Sequence, residues 1–246
     1  VLSAPISLEL LLTSKCNLKC IHCYAQSEPC LDKKELSTEQ IFKILDRLKK
    51  MKVLRVLLYG GEPLMNRDFL KITDYAIKLG FLVSISSNAT LLTENLVKEL
   101  SKRKLDSFQV SLNGATKKIV DRFSGMRGAY EMQLKSLELL KKYDIKFDVA
   151  MTAAKINYKE IGQVLTLSTK YGARSFRAIS CIPSGRASKK LDIPLSAWKK
   201  IIKFSEKKRR ELTDIEVQRE IRFMYPENFP KLNKVDIDIG GGCRAG

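Results

Sequence analysis

The chain has 246 residues, 44% of them apolar, and a formal net charge of +18. This length suffices for one sizeable hydrophobic core, so a single main domain is expected. No apolar run reaches the roughly 18–20 residues that span a bilayer, and the first residues do not show the charged and apolar regions of a secretion signal. We therefore expect neither a membrane protein nor an exported one, and cysteines kept as thiols predict a cytoplasmic location.

The surplus of basic residues has four interpretations. RNA, an acidic peptide or an acidic electron donor would each be attracted by it. The fourth is a lysine-rich solvated surface, which we favour because the basic residues are spread over many predicted helices. The densest run, residues 207–210, ends a predicted helix, where cations suit the helix dipole.

Apolar strands alternate along the chain with amphipathic helices. The first strand is a short apolar run of the kind found in buried parallel sheets. Ser37 and Gln40 form a capping box that predicts the start of the first helix. The predicted strands are residues 6–12, 53–59, 81–86, 108–112, 145–151 and 174–180, and the predicted helices are residues 38–51, 68–79, 93–102, 129–142, 161–171 and 195–210.

Six strand–helix units predict an α/β fold with a parallel sheet and right-handed crossovers. Six units are too few to close an eight-stranded barrel, so we expect a partial (β/α)6 barrel, about three quarters of a TIM-like barrel. Residues 115–127 are polar and are expected to form a loop. In such barrels the loops that follow the strands carry the active site.

Three cysteines, Cys16, Cys20 and Cys23, follow the first strand with the spacing C-x3-C-x2-C. Thiolates this close together can all point at one compact metal centre. A four-iron cluster normally takes four thiolates, and no fourth cysteine has a matching position. Three ligands leave one iron open to bind a small molecule and pass it an electron, which indicates a reactive cluster.

Two other uses of these cysteines remain open at this point. A structural zinc site needs four closed ligands, and His22 is the only nearby candidate for the fourth, although its place between two cysteines would point it away from the centre. Disulfides are a possible use of six cysteines in a secreted chain. Cys30 lies in the polar loop that follows and is expected to be a bystander thiol, with a spare ligand as the alternative.

Polar residues also follow the later strands. Gly60, Gly61 and Glu62 come directly after the second strand, where two glycines let the backbone approach a ligand closely. The others are Asn88 after the third strand, Ser111 and Asn113 at the end of the fourth, and Arg122 in the segment beyond it. Such a ring suits a zwitterionic or nucleoside-containing ligand, with backbone groups for an amine and Arg or Ser for a carboxylate.

The C-x3-C-x2-C spacing, the aromatic Tyr24 after the third cysteine, and a Gly-Gly-Glu-Pro motif some forty residues on together resemble the radical S-adenosylmethionine (radical SAM) superfamily. The resemblance covers nearly the whole chain. It implies a [4Fe-4S] cluster on the three cysteines and S-adenosylmethionine on the open iron. One electron from the cluster then cleaves the sulfonium, and the resulting 5′-deoxyadenosyl radical abstracts a substrate hydrogen.

The same resemblance implies roles for the other residues. Gly60, Gly61 and Glu62 would hold the methionine amine, and Tyr24 would approach the adenine. Asn88, Ser111 and Arg122 would take the ribose or the carboxylate. Arg127 is the alternative to Arg122, because relatives often have Asp where this chain has Asn113, and Arg before the later Gly where this chain has Ser124. An electron donor such as ferredoxin or flavodoxin is implied as a partner.

A narrower resemblance concerns the subfamily. The Ser-Leu-Asn-Gly at 111–114, the Pro-Ser-Gly-Arg-Ala at 183–187 and the terminal Cys-Arg-Ala-Gly at 243–246 resemble radical SAM proteins that carry a C-terminal SPASM extension with auxiliary clusters. We expect residues 1–210 to be the core and residues 211–246 to lead into a truncated extension. Cys243 matches the position of the extension's first cysteine, and the alternative is that it is a free thiol. Cys181 is expected to be a buried, neutral thiol.

Four functions remain open. The first is maturation of a peptide or a protein side chain by a SPASM-type radical SAM enzyme. The second is modification of a tetrapyrrole or another cofactor, and the third, suggested by the net charge of +18, is modification of RNA. The fourth is not enzymatic: a cluster-carrying scaffold or electron-transfer module. The sequence does not identify the substrate, which is expected to be a peptide or a small molecule.

Overall fold

The computed structural model describes residues 5–30 and 34–217. Its strands are β1 (Ser7–Leu11), β2 (Arg55–Tyr59), β3 (Leu82–Ser87), β4 (Ser107–Ser111), β5 (Phe147–Ala153), β6 (Ser175–Ser180) and β7 (Glu216–Val217). Its α-helices are α1 (Thr38–Lys50), α2 (Phe69–Lys78), α3 (Glu94–Ser101), α4 (Lys117–Ser124), α5 (Ala129–Lys142), α6 (Ile161–Tyr171) and α7 (Leu195–Glu211).

The strands form one parallel sheet in which the spatial order equals the chain order, from β1 to β7. Because right-handed crossovers in a single direction place every helix on the same side of the sheet, the helices of the described residues leave the other side uncovered. This arrangement confirms the predicted α/β partial barrel.

The two faces of the sheet differ in chemistry. The face under the helices is apolar and fully buried, with Val56, Ile85, Phe108 and Val149 as examples. The helix-free face carries polar side chains that hydrogen-bond across the strands. On it, Gln109 donates to the Ser86 hydroxyl at 2.9 Å and accepts a bond from the Arg177 guanidinium. Apolar burial on one face therefore holds the sheet together, while the polar face is left for function.

The predicted helix start at Ser37 is confirmed. The Ser37 hydroxyl accepts a hydrogen bond from the amide of Gln40 at 3.3 Å, and the Gln40 side chain accepts one from the amide of Ser37 at 2.8 Å. This reciprocal pair is the capping box that was predicted from the sequence. Ser37 is the N-cap residue, and α1 begins at Thr38, as predicted.

Two elements differ from the sequence-based prediction. Residues 115–127, predicted to be a loop, contain α4, an eight-residue helix that buries Val120 and Phe123. Its apolar face consists of Ile119, Val120 and Phe123 among four charged residues, and burial of Val120 and Phe123 stabilises the helix. In addition, β7 adds a two-residue strand beyond the six predicted, within the segment 211–246.

The division of the chain at residue 210 and the role of Cys243 remain predictions, since residues 218–246 lie outside the described part of the chain. Within the described part, no helix has the length and apolar character needed to cross a membrane.

Asn157 joins β4 and β5 from a fully buried position. Its side-chain oxygen accepts from the amide of Ala154 at 2.7 Å, and its amide donates to the carbonyls of Asn113 at 2.8 Å and Thr152 at 2.9 Å. All three partners are backbone groups that water does not reach easily, so the side chain satisfies polar groups that would otherwise be buried without partners.

We expect Asn157→Ala to lower the free energy of unfolding by roughly 2–4 kcal/mol, because these backbone groups lose their hydrogen-bond partners. Urea denaturation measures the change. Gln163→Ala, at an exposed position of α6, is the matched control and should stay within about 0.5 kcal/mol of the parent. An equal effect of the two substitutions would contradict the assignment.

Candidate functional site

The segments that follow the strands meet at one end of the sheet, which we call the carboxyl rim. It comprises residues 12–30, 60–66, 88–93, 112–116, 154–160 and 181–188. Because every strand of the sheet is parallel, these segments lie at the same end. The predicted site residues fall within them or directly beside them, apart from Arg122, which lies on α4.

Residues 13–30, which we call the cysteine loop, carry Cys16, Cys20 and Cys23 and form no helix or strand. The amide of Leu18 donates to the sulfur of Cys16 at 3.4 Å. Burial, followed by the charges of Cys16 and Cys23, raises the pKa of the Cys20 thiol to about 12. Since each thiol affects the next, the loop brings the three predicted ligands within electrostatic reach of one another.

This set of donors fits an iron–sulfur cluster. All five cysteines of the described part of the chain are free. Residues 5–30 and 34–217 contain no group of three or more His, Cys, Asp or Glu placed to hold a metal ion. Burial raises the pKa of Cys16 to about 11, and a bound cluster would displace the protons of such thiols. Three sulfur donors in one loop match the ligands that iron–sulfur clusters take.

His22 packs against α4. Its ring centroid lies 4.5 Å from that of Phe123. Burial, assisted by the positive charge of Arg186, lowers the pKa of His22 to about 4, so the ring is neutral at neutral pH. Its Nδ1 atom is buried and has no hydrogen-bond partner among the described residues.

Gly60 and Gly61 bring the backbone after β2 against the start of the cysteine loop. The amide of Gly61 donates to the carbonyl of Thr13, and the amide of Glu62 donates to that of Lys15, each at 2.8 Å. A Cβ atom added at Gly61 would lie 2.3 Å from the carbonyl oxygen of Lys15, and one added at Gly60 would lie 2.6 Å from that of Thr13. The two glycines were predicted to let the backbone approach a ligand closely. In the structure, the backbone at Gly60 and Gly61 closely approaches the cysteine loop of the same chain.

Glu62 is fully buried, and its carboxyl group connects the ends of β2 and β3. It accepts hydrogen bonds from the Ser87 hydroxyl at 2.8 Å, the Asn88 amide at 2.8 Å and the Leu64 amide at 3.2 Å. Burial raises the pKa of Glu62 to about 7, although these three bonds lower it in part. The side chain thus holds the rim segments after β2 and β3 together.

Asn88 extends this connection to the cysteines. Its side-chain amide donates to the Asn17 side-chain oxygen at 3.0 Å and points at the Cys16 sulfur at 3.7 Å. Gln133, from α5, donates to the carbonyls of Asn88 at 2.9 Å and Ser111 at 3.0 Å. A continuous series of contacts therefore runs from Glu62 through Asn88 to the first cysteine.

The structure places Tyr24 and Arg122 at the periphery of the site. Tyr24 is 57% exposed on the cysteine loop, and burial of its hydroxyl, followed by the charge of Tyr59, raises its pKa. Arg122 is exposed on α4, whose last turn holds the cysteine loop: the carbonyls of Phe123 and Ser124 accept from the amides of Ile21 at 3.0 Å and Lys19 at 2.9 Å.

Sequence reasoning missed Asn17, Gln133 and Arg186 as residues that shape the site. Gln133 is 3% exposed, and a glutamine on the buried face of an amphipathic helix is the signal that was available. Asn17 stands between the cysteines and binds the Thr90 hydroxyl at 2.8 Å. Neither residue reveals its partners in the sequence, because those partners lie in or beside rim segments far away along the chain.

We expect Gly61→Ala to lower the free energy of unfolding by about 1–3 kcal/mol, because the new methyl group must displace backbone at Lys15. Gly162→Ala in α6 is the matched control: its Cβ would meet only the Phe204 ring at 3.4 Å, and alanine is the better helix former. Thermal and urea denaturation compare the two variants. A stable Gly61→Ala protein would contradict the packing described.

Glu62 also predicts a pH dependence. Its pKa rises from 4.5 in the unfolded chain to about 7 in the fold, so the folded protein holds an extra proton in that interval. The stability that this proton contributes is present below pH 4.5 and is lost as the pH rises through about 7. His22 acts in the opposite sense, because its pKa falls from 6.5 to about 4.

We therefore expect the difference in unfolding free energy between the parent and Glu62→Gln to shrink by up to about 3 kcal/mol between about pH 5 and pH 8. His22 cancels in this comparison, since both proteins contain it. Urea denaturation of the metal-free proteins at each pH gives the values, with exposed Glu138→Gln as the control. A difference that does not vary with pH would show that Glu62 is ionised throughout.

Comparison with known proteins supports one family. The profile described as the Radical SAM superfamily matches residues 10–167, more than half of the chain. The AdoMet-dependent heme synthase of Methanosarcina barkeri is 31% identical over 200 residues, which are 81% of this chain and 57% of the relative. The mycofactocin maturase MftC of Mycolicibacterium smegmatis is 35% identical over 190 residues, 76% of this chain and 47% of the relative.

Solved structures show the same fold. SuiB of Streptococcus suis bound to S-adenosylmethionine superposes with a TM-score of 0.79 at 20% identity, over 92% of this chain and 53% of SuiB. The native anSMEcpe structure with bound AdoMet gives a TM-score of 0.71 at 20% identity, over 87% of this chain and 63% of that protein. This chain thus spans about half the length of the curated relatives it matches. On the family profile and the level of identity to these relatives, the chain belongs to the radical SAM superfamily.

Proposed function

We propose that this chain is the core of a radical SAM enzyme in which Cys16, Cys20 and Cys23 hold a [4Fe-4S] cluster. The observation that carries the proposal is the cysteine loop itself: three free thiols, electrostatically coupled, packed at the carboxyl rim against the Gly-Gly-Glu segment. When bound and reduced, the cluster and S-adenosylmethionine together supply a 5′-deoxyadenosyl radical that removes a hydrogen atom from a substrate.

Within this proposal, residues 60–62 receive the methionine amine of S-adenosylmethionine. The Glu62 carboxyl group already accepts three protein hydrogen bonds. We therefore assign the amine contact to the backbone carbonyls of Gly60 and Gly61. Glu62 positions these two residues through its own hydrogen bonds. Glycine at both positions keeps this backbone close to the loop that presents Cys16.

The remaining contacts are assigned by position. Asn88 and Ser111, joined through Gln133, end β3 and β4 and would bind the ribose or the carboxylate. Tyr24, exposed on the cysteine loop, would cover the adenine. Arg122 would supply a positive charge for the carboxylate from α4, beside the loop that α4 holds.

We propose a peptide or a protein side chain as the substrate, as in SPASM-type maturases. The 35% identity to a mycofactocin maturase supports this choice, as does the fold shared with SuiB, which has been solved bound to the precursor peptide SuiA. The helix-free face is polar: Arg177 and Gln109 bond each other, and Asp148 accepts hydrogen bonds from two serines and Arg174, which suits a substrate with polar groups of its own. An acidic donor such as ferredoxin or flavodoxin would be attracted by the net charge of +18.

Modification of a tetrapyrrole is the second candidate. The identity of 31% to an AdoMet-dependent heme synthase extends over 81% of this chain, slightly more than the match to the maturase. Binding of a precursor peptide, compared with binding of an iron-free porphyrin, separates the two candidates.

The test is anaerobic reconstitution followed by reduction with dithionite in the presence of S-adenosylmethionine. We expect about four irons per chain, with 5′-deoxyadenosine and methionine as products. Cys16→Ala, Cys20→Ala and Cys23→Ala should each lose most of the iron and all cleavage. Exposed Cys30→Ala is the matched control and should keep both.

Full iron loading in any of the three cysteine variants would refute the ligand assignment. Loss of the cluster in Cys30→Ala would add a ligand that the proposal omits. A cluster that forms normally in the parent without any cleavage of S-adenosylmethionine would refute the proposed chemistry for this chain.

A further inference from the structure

The segment that follows β6 lies against the cysteine loop. Gly185 adopts a left-handed φ of 62°, and a Cβ atom there would lie 2.3 Å from the carbonyl oxygen of Tyr24 and 2.5 Å from that of Cys23. The next amide, of Arg186, donates to the carbonyl of Cys23 at 3.0 Å. Glycine is therefore required at 185 so that the following residue can reach the backbone between the cysteines.

The Arg186 side chain adds two further bonds to the same loop. Its Nε donates to the carbonyl of Cys20 at 2.9 Å, and its Nη2 donates to the carbonyl of Ser27 at 2.7 Å. One residue thus binds three carbonyl groups of the cysteine loop, two of which belong to proposed cluster ligands. The rigid fork of a guanidinium group suits such a bridge, and a lysine ammonium could not reproduce its geometry.

These contacts join the two sides of the open barrel. The cysteine loop follows β1, the edge strand of the sheet, whereas Arg186 follows β6, near the opposite edge. The bonded residues are 159 and 166 positions apart in the chain. The shape of the loop that presents the three thiols therefore depends on a residue from the far side of the sheet.

Arg186 also places a positive charge beside the thiols. Its bonding partners in the loop are carbonyl groups, which carry no net charge. The nearby Glu28 is paired with Lys19 at 2.8 Å. The Arg186 Nε lies 2.9 Å from the carbonyl oxygen of Cys20, so the guanidinium charge stands directly beside the backbone of a proposed cluster ligand.

We propose that Arg186 is a positioning residue for the iron–sulfur cluster, and that its fixed charge favours the reduced state. The proposal rests on the proposed function, because it assumes a cluster on the three cysteines. Reduction adds a negative charge to the cluster, which a nearby cation stabilises. Loss of Arg186 should therefore release iron faster and make the cluster harder to reduce.

The test compares Arg186→Gln and Arg186→Lys with the parent after anaerobic reconstitution. Arg103→Gln is the matched control, since Arg103 pairs with Asp74 at 2.6 Å before β4, at the opposite end of the sheet. Two readouts besides turnover are the rate of iron release to a chelator and the midpoint potential of the cluster. Circular dichroism and thermal denaturation of the metal-free proteins report whether each variant folds.

We expect both Arg186 variants to release iron about 10–100 times faster than the parent, as is typical when a residue that supports metal ligands is lost. The midpoint potential should fall in Arg186→Gln and stay closer to that of the parent in Arg186→Lys, which keeps the charge. Arg103→Gln should match the parent in both measurements.

Iron release and potential equal to those of the parent in Arg186→Gln would overturn the proposal. If the glutamine variant does not fold, the lysine variant decides, and unchanged iron release in it would overturn the positioning role. Failure of the parent itself to load iron would refute the proposed function instead, so the two failures are distinguishable.

Discussion

The site depends on how the backbone of the cysteine loop is held, because residues 13–30 form neither a helix nor a strand. Their shape is imposed from outside by Gly61 after β2, by Ser124 at the end of α4 and by Arg186 after β6, each of which bonds the loop backbone. Backbone groups that are bonded in this way cannot rearrange without losing those bonds. Three elements distant in sequence therefore share the positioning of three thiols.

Buried polar side chains link this loop to the rest of the rim. Glu62, Asn88 and Gln133 connect the ends of β2, β3 and β4 with Cys16, and most of their polar atoms have protein partners. Such networks stabilise one geometry when they are satisfied and are costly when they are not. The high pKa of Glu62, about 7, shows that the fold tolerates a carboxyl group in a place that disfavours its charge. Carboxyl groups with a raised pKa are enriched at functional sites.

Membership of the family does not decide the substrate, because the same barrel hosts many reactions. The relatives include both a maturase and a heme synthase at similar identity. The helix-free face of the sheet is the surface whose chemistry this structure shows in detail. In this chain that face is polar and bears both signs of charge, at Asp148 and Arg177. Under the proposed function, such a surface suits a polar substrate with its own hydrogen-bonding groups.

The sequence by itself determined the parallel fold and the positions of the three cysteines, because hydrophobic periodicity and the C-x3-C-x2-C spacing are local patterns. It also placed Gly61 and Glu62 at the rim. The helix α4 and the strand β7 were not predicted, because β7 has only two residues and α4 lies in a segment whose many polar residues indicated a loop. Only the tertiary structure showed that Glu62 bonds Asn88 and that Arg186 holds the carbonyls of Cys20 and Ser27. Those contacts join residues far apart in the chain, and pairing over such separations is decided by how the sheet curves and packs.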